Sequence, residues 1–255
     1  MKRAFVLFLL LQMCAAEALA ATAEVAGSVY NPGIHRLPPG SRLSRLALAA
    51  APTPDAYVLG AALLREPKRL EQTRLKAGLM FDLEQLALDT EPDSTVGASV
   101  ARISRWLKGL PVTGRVPYQL EPRVLEATRS RDFPVQAGDV LFYPARPSSI
   151  TIVGAVSQQC TLAHIGLQEP TAYLGRCPKA AGASSDYVHV IQPDGHTARV
   201  GTALWNQSPP SSLAPGAVIF VPLAETLVRN KAPHFNEDAV SFLATQLLAA
   251  PGTSL

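Results

Sequence analysis

The apolar positions of this chain fall into two similar series. Val25-Ala26-Gly27-Ser28-Val29 returns as Ile152-Val153-Gly154-Ala155-Val156, offset by 127 residues. Val135-Gln136-Ala137-Gly138-Asp139-Val140-Leu141-Phe142-Tyr143-Pro144 returns as Leu213-Ala214-Pro215-Gly216-Ala217-Val218-Ile219-Phe220-Val221-Pro222, offset by 78. Each series opens on an apolar-glycine-apolar strand and closes on a glycine turn, an apolar run and proline. The offsets differ by about 49 residues, so the first series carries an insertion of that length between its shared ends. Two related units are expected, the first of them interrupted.

Within the first unit Glu24 to Tyr30 reads as a strand, Asn31-Pro32-Gly33 as a turn and Ile34 to Leu37 as the returning hairpin strand. Ser41 is expected to cap a short helix with Leu43, Leu46 and Ala47 facing inward. Tyr57 to Leu64 reads as a further strand. A small sheet wrapped on one helix follows from that order. In the inserted stretch Pro67 suits a first helical turn, and Leu75, Leu79, Leu83 and Leu86 form one apolar stripe. Asp93 or Ser94 can cap a second helix with Val96, Val100, Ile103 and Leu107 on one face, stopped by Gly109 and Pro111. These two helices make a hairpin spanning about 66–110.

The second unit is leaner. Ile150 to Val156 and Thr161 to Ile165 read as strands, and Pro170 to Leu174 as a short helix. Tyr187 to Ile191 and Thr197 to Val200 flank Asp194-Gly195, a two-residue hairpin signal that sets His189 against Val200. Ala217 to Val221 closes the unit, and the Pro-bearing link 145–149 is short enough to hold the two units together. The tail, residues 225–255, contains an amphipathic helix at about 236–249: Asn236 as cap, Glu237 and Asp238 in the first turn, Val240, Leu243, Leu247 and Leu248 on one face. It either docks on its own chain or is presented to a partner.

The amino terminus carries a positive Lys2-Arg3, an apolar run from Ala4 to Leu11 and the small-x-small triplet Ala18-Leu19-Ala20. Residues 1–20 thus read as a cleavable secretory signal, too short in its apolar run to span a membrane. Cys14 raises a lipoprotein alternative, against which stand Gln12 and Met13. Losing Lys2, Arg3 and Glu17 takes the formal charge from +3 to +2. The basic residues are scattered along the chain, so no nucleic-acid partner is expected. Nor is an integral membrane protein, since no later stretch reaches the ~18 apolar residues of a spanning helix.

Export decides the cysteine reading. Only Cys160 and Cys177 survive cleavage, and in an oxidising compartment two thiols in one small unit favour a disulfide over a metal or redox pair. The closed loop is worth on the order of 3 kcal/mol by loop entropy. Catalytic signatures are missing. Gly97-Ala98-Ser99-Val100-Ala101 is no nucleophile elbow, and the histidines at 35, 164, 189, 196 and 234 show no H-E-x-x-H pattern. No metal, cofactor or enzymatic activity is expected. A glycan-modifying enzyme stays open as the alternative, should carboxylates distant in sequence converge.

The passage Val25 to Ile34, with Gly60-Ala61-Ala62-Leu63-Leu64-Arg65 and the closing Ala137 to Pro144, resembles soluble-ligand-binding β-grasp domains of outer-membrane polysaccharide export proteins. The order of the parts, together with Leu110-Pro111-Val112-Thr113-Gly114-Arg115, resembles the GfcC family of capsule biosynthesis proteins. The resemblance implies an α+β fold of two β-grasp (ubiquitin-like roll) domains, 22–146 with the helical hairpin inserted and 147–224. It also implies a periplasmic accessory protein of Gram-negative capsule or exopolysaccharide assembly, partnered by polysaccharide or by outer-membrane export machinery. Arg115, with Thr113 and Gly114, is the candidate ligand site, because the chain there leaves the helical hairpin and re-enters the sheet. A guanidinium at such a cleft can donate paired hydrogen bonds to a carboxylate or to sugar hydroxyls. The alternative is a structural arginine bonded to backbone carbonyls. Trp106 and Trp205 are read as core residues before sugar-stacking ones.

Overall fold

The computed structural model describes residues 20–91 and 93–248; the leader expected at 1–20 lies outside them except for Ala20, as does the last stretch of the tail. The chain folds into two five-stranded mixed sheets with helices, an α+β architecture. β1 (Ala21–Gly27) and β2 (Gly33–Leu37) form a hairpin, followed by α1 (Leu43–Ala50), a 3-10 turn at Val58–Gly60 and β3 (Ala62–Leu64). The stretch Tyr57 to Leu64, expected as one strand, is therefore split. A Cβ at Gly60 would meet Tyr57 and Leu248, so the chain bends where three segments crowd. The inserted helices are α2 (Glu66–Leu88) and α3 (Thr95–Gly109); then come β4 (Arg115–Val116), α4 (Pro122–Ala127), a 3-10 turn at Arg129–Arg131, and β5 (Val140–Tyr143). The second half runs β6 (Ser149–Gly154), β7 (Cys160–Ala163), α5 (Pro170–Leu174), β8 (Tyr187–Ile191), β9 (Thr197–Gly201), β10 (Val218–Val221), α6 (Glu225–Val228) and α7 (Phe235–Leu243).

The two sheets have one topology. Their strand orders are β2-β1-β5-β3-β4 and β7-β6-β10-β8-β9, each with a parallel pair at the centre and antiparallel neighbours outside. The likeness reaches single hydrogen bonds: Ser28 N–H donates to the Tyr143 carbonyl at 2.7 Å, and Ala155 N–H to that of Val221 at 2.8 Å. Gly27 and Gly154 take φ of +93° and +95°, and a Cβ on either would lie on that same carbonyl oxygen. Only glycine tolerates both demands. Helices α2 and α3 leave from and return to the β3–β4 hairpin, the counterpart of the tight β8–β9 hairpin.

Local sequence explains most of these elements, with instructive exceptions. Ser94 caps α3 through Gly97 N–H at 2.9 Å, as its position predicts. Ser41 does not cap α1. The carboxylate of Asp132 does so from far along the chain, accepting from Ser44 N–H at 2.9 Å and from Ser44 Oγ at 2.7 Å. Asn236 is not the cap of α7 either: it lies inside the helix, buried, and its amide pairs with both the N–H and the carbonyl of Leu223. The hairpin loop is one residue longer than expected. His189 faces Arg199 rather than Val200, and Gln192 N–H donates to His196 O around the loop Pro193-Asp194-Gly195. Proline has no N–H to close a two-residue loop.

The inserted helices do not cover the sheet that bears them. Leu79, Leu83 and Leu86 of α2 and Val100, Ile103 and Leu107 of α3 join Ile150, Ile152, Val190 and Phe220 of the second sheet and Phe235 and Phe242 of α7 in one core. The first sheet has its own core of Val25, Leu43, Leu46, Leu63, Leu125, Leu141 and Tyr143. Burial patterns record the difference. β1 alternates, as a sheet with one wet face must, whereas β8 is buried at all five positions and so is covered on both faces. α5, with Tyr173, and the inserted helices with α7 supply that cover. Cys160 and Cys177 are joined in a disulfide that ties β7 to the end of α5. No helix among the described residues is long and apolar enough to cross a membrane.

Candidate functional site

The three residues singled out from the sequence sit where all the parts meet. Leu110 ends α3, and the chain passes through Thr113 and Gly114 into β4, which pairs with β3 through Leu64↔Arg115. Gly114 takes φ of +78°, and a Cβ there would crowd the Arg65 carbonyl at 2.7 Å. Its N–H donates to Gln72 Oε1 at 2.7 Å, and Gln72 Nε2 donates to the Arg115 carbonyl at 2.8 Å. One buried amide of α2 thus closes the open edge of β4. Gln72 was not singled out from the sequence, since a polar residue beside an amphipathic stripe gives no sign of a partner 42 residues away.

Thr113 and Arg115 reach the tail. Thr113 Oγ1 donates to the Thr245 carbonyl at 2.7 Å and accepts from Arg115 N–H at 3.0 Å. Arg115 Nη1 donates to the Gln246 carbonyl at 2.6 Å, and Nη2 donates to the carbonyl of Pro193 at the tip of the second sheet's hairpin. The same tip brings Gly195 against Pro117 and the Ala244 carbonyl, too close for any side chain. These bonds explain why α7 stops at Leu243: the carbonyls of Thr245 and Gln246 are drawn into the junction. The described part of the tail, up to Leu248, therefore docks on its own chain.

Arg115 is only 3% exposed, and its Nε has no partner. Burial lowers its pKa to about 10, with Asp194 pulling the other way. Among the described residues no carboxylate forms an ion pair with it. It lines a cavity of about 120 Å³ with Ser149, Thr151, Gln192, Gln246 and Leu248, and on its other side a groove of about 230 Å³ with Lys68, Glu71 and Gln72. Thr113 lines a separate shallow pocket of about 90 Å³ beside Arg65 and Glu66. Gly114 is buried and lines none of the three.

Below Thr113, Arg65 is held by Asp139 in a two-pronged ion pair at 3.0 Å, and Asp139 also accepts from Gln136 N–H at 2.8 Å. Two of the three sequence stretches quoted for the β-grasp likeness thus meet in one salt bridge. Trp106 is partly buried against the second core, in keeping with expectation. Trp205 is not a core residue: it stands 77% exposed beside Leu204, on a turn fastened by Asn206. No group of three or more metal-ligating side chains occurs among the described residues.

Residues 157–248 match the family model described as the capsule biosynthesis GfcC C-terminal domain. The chain is also 24% identical over 188 residues to a protein of Escherichia coli (strain K12) named uncharacterized protein YjbG, covering 74% of this chain and 76% of that one. Both likenesses bear out the GfcC-like resemblance read from the residues.

Proposed function

We propose that this is a non-enzymatic periplasmic accessory protein of capsule or exopolysaccharide assembly or export, acting by binding the polysaccharide or the outer-membrane export machinery. The match over 157–248 to a capsule biosynthesis domain points to the pathway. The repeated sheet order, with its central parallel pair and one packed helix, supports reading the units 22–146 and 147–224 as two β-grasp domains. The cleavable leader read from residues 1–20, and a disulfide in the folded chain, support an exported, oxidising setting.

The observation that carries the binding reading is Arg115: a buried guanidinium with no paired carboxylate, one N–H unused, and a cavity on either side. Such a group is complementary to a carboxylate or to clustered hydroxyls. Thr113 and the Gly114 backbone fix its position. The enzymatic alternative needs two convergent carboxylates, and none of the three cavities beside these residues offers them. The cavity around Leu248 has none, and Glu71 and Glu66 in the other two are each ion-paired to a neighbouring cation.

The test is complementation of a strain lacking the protein, paired with a periplasmic pull-down, using Arg115→Lys and Thr113→Val. Because Arg115 holds Pro193 and Gln246, its loss lowers stability as well, so variants are compared at equal folded amounts. Loss of polymer export and of co-purifying glycan or export protein, with the folded fraction kept, is expected. Full function in both variants would remove the site.

A further inference from the structure

The arginines that are scattered in the sequence are gathered in the first unit. The carboxylate of Asp132 binds the first turn of α1, Arg42 donates to the Asp132 carbonyl, and Leu43 N–H donates to the Phe133 carbonyl at 2.9 Å. Arg42 and Arg45 on one side, and Arg129 and Arg131 on the other, therefore belong to one hydrogen-bonded unit, with Arg123 on the adjoining α4. Arg45, Arg123, Arg129 and Arg131 are exposed, and among the described residues none of the five lies within ion-pair distance of a carboxylate. Of the nearby acids, Asp132 is committed to Ser44, leaving Glu121 and Glu126. Between the arginines lie Tyr118 and Phe133, ring centroids 5.4 Å apart, with Phe133 half-exposed and the Tyr118 hydroxyl donating to the Arg131 carbonyl.

The second unit is an internal control. Its α5 begins where α1 does in the repeat, yet the positions of Arg42 and Arg45 are held by Glu169 and Ala172. The stretch 202–217, matching the one that carries Arg123, Arg129 and Arg131, has no charged residue at all. Apart from the bond of Arg42 to the Asp132 carbonyl, the fold thus does not require this basicity, since cations with no carboxylate within ion-pair distance repel one another.

We propose that the face built by α1, the Arg129–Arg131 turn and the Tyr118–Phe133 pair is a docking surface for a carboxylate-bearing polysaccharide. The guanidinium fork matches a carboxylate with two hydrogen bonds, a row of them matches a chain of regularly spaced charges, and aromatic rings between them offer sugar faces a place to stack. This inference rests on the reading that the protein binds polymer, and it names the chemistry of that polymer.

The experiment titrates the mature chain with alginate, a polyuronate, and with neutral dextran, at low and high salt. The variants are the triple Arg45→Gln/Arg129→Gln/Arg131→Gln and, separately, Arg115→Lys. Expected are binding of alginate that weakens steeply with salt, at least a tenfold loss in the triple variant with the thermal midpoint unchanged, and no comparable affinity for dextran. Alginate binding that survives the triple change but is lost in Arg115→Lys would overturn this inference and leave the Arg115 cleft standing. Equal binding of dextran, or no binding of alginate by the unaltered chain, overturns it as well. So does binding to phosphatidylglycerol vesicles but not to alginate, which would assign the face to a lipid surface.

Discussion

Leu83 lies on a helix that the sequence attaches to the first sheet and that packs on the second, so truncating it asks which unit the insertion stabilises. The side chain is 1% exposed and sits in the core shared with Ile150, Phe220 and Phe242. Leu83→Ala removes buried methyl groups and leaves a cavity in that core, at a cost of about 3 kcal/mol. For a chain of this size that is a fall of about 6–12 °C in thermal midpoint. Urea unfolding followed by far-UV circular dichroism and by Trp106 fluorescence, in a Trp205→Phe background, should give coincident curves shifted together. Amide exchange in β8, about a hundred residues away in sequence, should quicken by about two orders of magnitude where it proceeds by global opening. A cost under about 1 kcal/mol, or an early transition of the helices that leaves β8 protection intact, would refute the shared core.

Three other outcomes follow from the same structure. Gly27→Ala and Gly154→Ala should each lower stability by more than about 2 kcal/mol, measured as urea midpoints, because both place a Cβ on a strand carbonyl at positive φ; a neutral result in one copy alone would break the structural equivalence of the pair. Reducing the Cys160–Cys177 bond should cost on the order of 3 kcal/mol, read as a shift in urea midpoint with and without reductant. The pH dependence has a sign: burial lowers the pKa of His189, opposed by Glu237 and Glu225 and helped by Arg199. The unfolded chain then takes up the proton more readily than the folded one, so this stability is fully present above about pH 6.5 and is lost as pH falls towards the folded value. Stability measured from pH 7.5 down to 5.5 should decline by at most about 1.4 kcal/mol per pH unit from this group, and His189→Gln should flatten that slope.

Much of this fold is written locally and so could be read. The leucine spacing of the insertion and the Ser94 cap are set within a few residues of themselves, and both appear as expected; Gly27 and Gly154 could be read because the repeat sets them in equivalent places, although the carbonyls that crowd them lie far along the chain. What escaped the sequence acts over long separations. Nothing near Ser41 shows that Asp132 will cap α1 in its place. Nothing in the stripe of α2 says that it faces the other unit's sheet. The tail helix reads as continuing to residue 249 because its apolar periodicity continues, but Thr113 and Arg115 take the carbonyls of Thr245 and Gln246, and the helix ends at Leu243. Arg115 was found because a chain re-entering a sheet makes a cleft. That its partners would be backbone carbonyls of two distant segments depends on the docking of those segments. The gathering of arginines around α1 was hidden for the same reason, since its members come from stretches about 85 residues apart, joined through Asp132 and Phe133.

In the function proposed, a duplicated sheet grips polymer without altering it. The most direct test of that proposal is size-exclusion chromatography with light scattering of the mature chain mixed with a purified acidic capsular polysaccharide. Co-elution of protein with polymer of undiminished mass is predicted. Shortened polymer would contradict it by showing an enzyme, and separate elution of the two at low salt would contradict it by showing no grip at all.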